Sequence, residues 1–135
     1  MTHYEGVQEG DLDKALSVFT DDVERTMSGA GTLRGLDAFR AVLPVFPAAF
    51  PDIAFTVDTW IETGDTLVIE GRVQGTHTGP LKTAGGEIPA TGMRLDLPFV
   101  DILKARGDRF SLLHIYFDRL EMMSQLGVIP ARSSG

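Results

Sequence analysis

Residues 53–78 read IAFTVDTWIETGDTLVIEGRVQGTHT, and this stretch decides the fold. Val, Ile, Thr, Phe and Trp dominate it, residues whose branched or aromatic side chains suit a pleated, half-buried surface. Thr63-Gly64-Asp65 interrupts the run as a hairpin turn, so 53–61 and 66–78 are expected as paired strands. A strand turns alternate side chains to opposite faces. One face of 66–78 then carries Leu67, Ile69, Gly71, Val73, Gly75 and His77. The other carries Val68, Glu70, Arg72, Gln74, Thr76 and Thr78. The first row is apolar up to His77, and its two glycines leave room above the sheet for a ligand, with Gly71 and Val73 as pocket residues.

Downstream, 79–90 holds two prolines and Gly85-Gly86 and reads as a loop. A strand follows over 93–105, in which Pro98, with no backbone N–H, marks a bulge or an edge. Arg106-Gly107-Asp108 reads as the turn into a last strand over 109–117. One of its faces carries Phe110, Leu112, His114, Tyr116 and, just beyond, Asp118. An apolar row ending in titratable groups is what a pocket wall looks like, so these residues are expected to bind substrate. The opposite row, Ser111, Leu113, Ile115 and Phe117, is also largely apolar, which predicts that both faces are covered and suggests a homodimer through the sheet face. A closing helix over 118–126 is ended by Gly127.

Upstream, Asp11 caps a predicted helix through Leu12, Ala15, Leu16 and Phe19, which Gly10 separates from residues 4–9. Asp21-Asp22 is expected to end it, before a short strand over 23–27 and a turn over 29–32. Phe39, Val42, Leu43, Phe46 and Phe50 predict a helix over 36–50, kinked by Pro44 and Pro47. Helices first and a long antiparallel meander after give an α+β fold. It is read as one domain over 1–130 with a flexible tail over 131–135.

Composition narrows the function. A hydrophobic fraction of 43% in 135 residues supports one buried core. Twelve basic residues against 19 acidic ones, a formal charge of −7, argue against a nucleic-acid partner. Apolar stretches such as Leu97-Pro98-Phe99-Val100 are far too short to span a membrane. The first residues lack the pattern of a signal peptide, so a cytoplasmic setting is expected. Without cysteine there is no disulfide, thiolate metal site or cysteine nucleophile. His3, His77 and His114 have no ligand spacing between them, and no metal is expected. Gly29-Ala30-Gly31-Thr32-Leu33-Arg34 is not a dinucleotide fingerprint, because Arg34 stands where a third glycine belongs.

Three ordered stretches resemble the SnoaL-like polyketide cyclases, members of the cone-shaped superfamily named after nuclear transport factor 2. They are Tyr4-Glu5 with Gly10-Asp11-Leu12 and Asp21-Asp22-Val23; Phe50-Pro51-Asp52 with Gly64-Asp65 and Gly75-Thr76-His77-Thr78-Gly79; and Tyr116-Phe117-Asp118 with Gln125-Leu126-Gly127. The resemblance implies a curved, antiparallel or mixed sheet wrapped around a pocket and closed by N-terminal helices, usually dimeric. It implies catalysis without a cofactor, with Asp118 as general acid/base and His77 as the matching histidine. Gly71 and His114 replace tryptophans of many relatives, so the resemblance does not carry over the tetracyclic substrate.

The implied chemistry is aldol cyclisation or isomerisation of a polyketide-like or other small hydrophobic carbonyl compound, in which a buried carboxylate moves the proton. His77 or His114 would orient Asp118 or polarise the carbonyl, and Tyr4 would reach the pocket from the first helix. Structural roles compete with these: Asp118 as a helix cap, His77 as a hydrogen-bonded strand-end residue, His114 as packing. Two other functions remain open. One is an epoxide hydrolase or hydratase built on an Asp-Arg-Asp set, for which Arg25 and Arg72 are the available arginines. The other is a non-catalytic module binding a hydrophobic ligand or a protein.

Overall fold

In the computed structural model, which describes residues 2–83 and 85–129, the stretch over 53–78 folds as a hairpin of β3 (Ala54–Thr63) and β4 (Thr66–Thr76). Gly64 sits in its turn at φ +56, a region a Cβ disfavours. β4 pairs antiparallel along its whole length with β7 (Arg94–Arg106), and β7 with β8 (Arg109–Phe117). β1 (Phe19–Met27) adds to β8 in parallel and β2 (Gly31–Arg34) to β1, giving the order β2-β1-β8-β7-β4-β3. The sheet is therefore mixed and curled, with β2 and β3 as open edges rather than a closed barrel. The segment read as a loop holds a separate ribbon, β5 (Leu81–Thr83) with β6 (Gly86–Ile88).

The helices are α1 (Thr2–Glu9), α2 (Leu12–Leu16), α3 (Leu36–Val42), α4 (Val45–Ala49) and α5 (Arg119–Gln125). Asp11 caps α2 as predicted, accepting from the Lys14 N–H at 3.0 Å. The helix stops short of its expected end, however, and Asp21-Asp22 lie inside β1. Strand prevails there because it buries Phe19 and Val23 in the sheet's core while Asp22 faces out to pair with Arg106. The predicted helix over 36–50 breaks in two where its prolines demand. Pro44, which has no N–H for α3, opens α4 instead.

Pro98 makes no bulge, since β7 runs opposite β4 in unbroken register through Arg72↔Pro98. Pairing with β8 has ended one residue away at Phe99↔Phe117, so the missing N–H falls on a local edge. Gln125 of α5 covers that edge, accepting from the Asp96 N–H at 2.8 Å and donating to its carbonyl at 2.9 Å. Register shifts occur elsewhere, at Val57/Thr59 in β3 and opposite Lys104/Ala105, where Ser111 is the extra residue of β8.

The concave face of the sheet is filled by two apolar clusters shared with the helices. Leu16, Phe19, Phe39, Ile69 and Leu113 anchor one, and Ala15, Phe50, Leu81, Leu95 and Leu126 the other. Burying each larger side chain contributes roughly 1.5–3 kcal/mol, which offsets the ordering of the chain. Gly127, at φ +74, ends α5 as predicted. The tail expected over 131–135 lies outside the described residues. Among the described residues no helix is long and apolar enough to cross a membrane.

Candidate active site

Alternation carries two charges inward. β1 buries Val23 and Arg25 on one face, and β7 buries Leu95, Leu97, Phe99, Asp101 and Leu103. α1 lays His3, Tyr4 and Val7 against them, held to β3 by the Gln8 side chain, which accepts from the Phe55 N–H at 2.6 Å. These elements line a cleft of about 110 Å³ whose walls are apolar except for His3, Tyr4, Arg25 and Asp101. A second chamber of about 310 Å³ adjoins it and shares Arg25, Met27, Val42, Phe46 and Phe117.

The polar groups form one constellation. The Tyr4 hydroxyl donates to Asp101 Oδ2 at 2.5 Å. Asp101 is 4% exposed, and its Oδ1 is buried with no hydrogen-bond partner. Burial pushes its carboxyl up to about 7, against the smaller opposing pulls of the Tyr4 hydrogen bond and the Arg25 charge. Burial, then the Asp101 charge, raises the Tyr4 phenol still further from ionising, so it stays a donor. Arg25 has a buried Nε without a partner, an Nη2 contact to Met27 Sδ at 3.7 Å, and its Cζ 5.7 Å from the Phe39 ring centroid.

His3 completes the set. Its Nδ1–H donates to the Ala15 carbonyl at 2.8 Å, which fixes the tautomer. Burial is the largest influence on its pKa, lowering it to about 4, so the ring is neutral at ordinary pH. A carboxyl and a guanidinium left with unused bonding capacity in an apolar cavity are costly to the fold alone, and such groups cluster at functional sites.

The residues singled out from sequence fall differently. Tyr4 and Val73 line the cavity. Asp118 does not: it is exposed and caps α5, accepting from the Glu121 N–H at 3.1 Å. Asp118→Ala is expected to lower Tm by about 3–5 °C in a thermal melt and to leave binding in the cavity unchanged. Leu112, His114 and Tyr116 alternate as expected but on the convex side, because Leu113, Ile115 and Phe117 turn inward. His114 Nε2 stands there 3.7 Å from Glu24 Oε2, and Tyr116 is 46% exposed. The extra residue Ser111 returns Phe110 to the inner side, where its ring centroid lies 6.4 Å from that of Phe19.

His77 is fully buried at the strand end, away from the cavity lining. Its Nδ1 accepts from the Thr91 N–H at 3.3 Å and lies 2.9 Å from the Thr91 hydroxyl, and its ring centroid is 5.3 Å from that of Phe50. Burial lowers its pKa. Gly71 leaves no room for a ligand, since a Cβ there would lie 2.2 Å from the Thr56 carbonyl oxygen of the β3 bulge. Asp101 and His3 are not among the residues proposed as catalytic from sequence, and Arg25 is considered there only for a hydrolase. Asp101 has a readable signal, as the single charge on an otherwise apolar alternating row from Leu95 to Ala105.

Residues 2–112 match the sequence profile of the SnoaL-like domain. No curated protein matches the sequence. A candidate SnoaL-like polyketide cyclase from Jannaschia sp. CCS1 superposes with a TM-score of 0.81 at 22% identity, over 93% of this chain and 84% of that one. IdmH, a candidate polyketide cyclase from Streptomyces antibioticus, gives 0.77 at 25% identity, over 93% and 94%. A protein of ketosteroid isomerase-like fold from Catenulispora acidiphila gives 0.78 at 16% identity, over 99% and 95%. These three structures share the fold of this chain.

Proposed function

Because the chain belongs to the SnoaL-like domain family, we propose that it is a small-molecule enzyme of the cyclase or isomerase type, with Asp101 as its acid/base on a hydrophobic carbonyl substrate. The observation that carries this reading is Asp101 Oδ1, buried and without a partner in an apolar cavity, on a carboxyl whose pKa is raised to about 7. A base poised near the working pH combines the right protonation state with the strongest drive for proton transfer.

In the proposed reaction Asp101 removes a proton from a carbon next to the substrate carbonyl. The electron pair moves onto the carbonyl oxygen, giving an enolate that the Arg25 guanidinium stabilises. Returning the proton to a different carbon completes an isomerisation. Attack of the enolate carbon on a second carbonyl, with the proton delivered to the new alkoxide, completes an aldol closure. These steps are proton transfers and carbon–carbon bond formation, so the proposal needs no cofactor. Tyr4 holds Asp101 in place, and the apolar walls strengthen every charge interaction within. An Asp-Arg-Asp set for hydrolysis finds less support: among the described residues no second carboxylate lines the cavity, and Arg72 pairs with Asp96 at 2.7 Å instead.

The test is exchange of the α-protons of 2-tetralone in D₂O, followed by proton NMR. Wild-type protein is expected to accelerate exchange with a rate that rises through pH about 7 and levels off above it, because only the ionised carboxylate is a base. Asp118→Asn is expected to behave as wild type. Exchange at wild-type rate in Asp101→Asn would refute the assignment, and binding without exchange in the wild type would favour a ligand-binding module. A sheet-face homodimer belongs to the same proposal, supported by Trp60 and Tyr116 left exposed on β3 and β8. Sedimentation as a monomer at micromolar concentration would remove it.

A further inference from the structure

We infer that the substrate is an organic anion: its apolar, carbonyl-bearing part fills the inner cavity, and a carboxylate lies in the outer chamber against Arg119 and Lys82. This rests on the acid/base reading for the inner cavity and adds the substrate's charge to it. The chain carries a formal charge of −7, yet among the described residues the outer chamber is lined by Arg25, Lys82 and Arg119 and by no acidic residue. The local sign is thus opposite to the net charge, and a concave wall of one sign concentrates ligands of the other.

Arg119 is held in position rather than loose. Its Nη1 donates to the Gly29 carbonyl at 3.0 Å. Its side chain lies over Gly29, where a Cβ would stand 2.4 Å from Arg119 Cδ and Nη1 and push the arginine aside, and where φ +78 favours glycine. That hydrogen bond leaves most of the guanidinium donors for a ligand. Helix stability does not account for the residue, because a cation in the first turn of α5 opposes the helix dipole. Arg25, nine-tenths buried with Nε unpartnered, lines both chambers and continues the positive wall inward. An anion entering past Lys82 and Arg119 thus meets cationic groups until its carbonyl reaches Asp101.

The experiment uses 4-oxo-4-phenylbutanoate and its methyl ester, measured by calorimetry on the full chain. The acid is expected to bind about tenfold tighter than the ester, as one or two charge-assisted hydrogen bonds provide. Arg119→Glu and Lys82→Glu, on exposed side chains, are each expected to remove most of that preference while changing ester affinity by less than about twofold. Added salt is expected to weaken the acid selectively. Equal affinity of acid and ester, no binding of either at millimolar concentration, or equal loss of both in Arg119→Glu overturns the inference. Asp101→Asn separates the two proposals: an acid preference that survives it, alongside unchanged 2-tetralone exchange, leaves the anion site standing and the acid/base assignment refuted.

Discussion

Asp101→Asn is expected to slow 2-tetralone exchange by about 10²- to 10⁴-fold and, above pH about 7, to make the protein more stable than wild type. Asparagine keeps an oxygen for the Tyr4 hydroxyl but cannot ionise. The wild-type carboxyl titrates near 7 when folded, against an ordinary 3.8. Between those values the unfolded chain has released a proton that the folded chain retains, so this group's contribution is fully present below about 4 and lost as pH rises through 7. The loss amounts to at most about 4 kcal/mol. His3 has the opposite sign. Its folded pKa, about 4, lies below the ordinary 6.5, so its contribution is lost as pH falls across that window. In wild type the two slopes largely cancel between those limits. In Asp101→Asn only the His3 slope survives, and stability should climb by about 3 kcal/mol from pH 4 to 6.5. Urea unfolding of both proteins across the range measures the difference. A variant less stable than wild type at about pH 8 would mean that Asp101 is held by a stronger ionic contact than Arg25 supplies.

If Asp101 is the acid/base, as proposed, stability is traded for a reactive group, which no local pattern announces in the way that burial announces a strand. Period-2 patterning reveals β4 and β7 because hydrophobic burial dictates it, whereas β3, largely exposed, is revealed by its branched and aromatic residues. The glycines at 64 and 127 reveal a turn and a helix end because only positive φ fits there. Which face of β8 is concave is a different question. Leu112 and Tyr116 on one side and Leu113 and Ile115 on the other are both largely apolar, and the packing that chooses between them is long-range, like the parallel pairing of β1 with β8, with no local signature. The Ser111 bulge then moved Phe110 across the sheet, which strict alternation does not anticipate. Asp118 drew attention by standing at a strand end, where its capping bond is sufficient reason for it. Asp101 breaks an apolar row that burial would have completed, and has no such local reason.

Gly6→Ala is expected to lose about 2–4 kcal/mol of stability and most of the site's function, although Gly6 touches neither chamber. A Cβ at Gly6 would stand 2.3 Å from Ala15 N, 2.6 Å from its Cα and 2.8 Å from its Cβ. Two of those three atoms are backbone, so α1 and α2 must separate rather than a side chain rotate. Separation stretches the His3 Nδ1–H bond to the Ala15 carbonyl, now 2.8 Å, and leaves a buried donor unpaired. It also shifts Tyr4, one residue along the same helix, from Asp101 Oδ2 at 2.5 Å. Alanine's better helix propensity returns about 1 kcal/mol, which the net figure includes. Denaturant unfolding and the 2-tetralone exchange rate together give the readout. The second substitution Ala15→Gly should fail to rescue either, because it removes only the Cβ and leaves the two backbone contacts. Rescue by Ala15→Gly would show that the helices meet through side chains, and that the placement of Tyr4 does not depend on how closely α1 crosses α2.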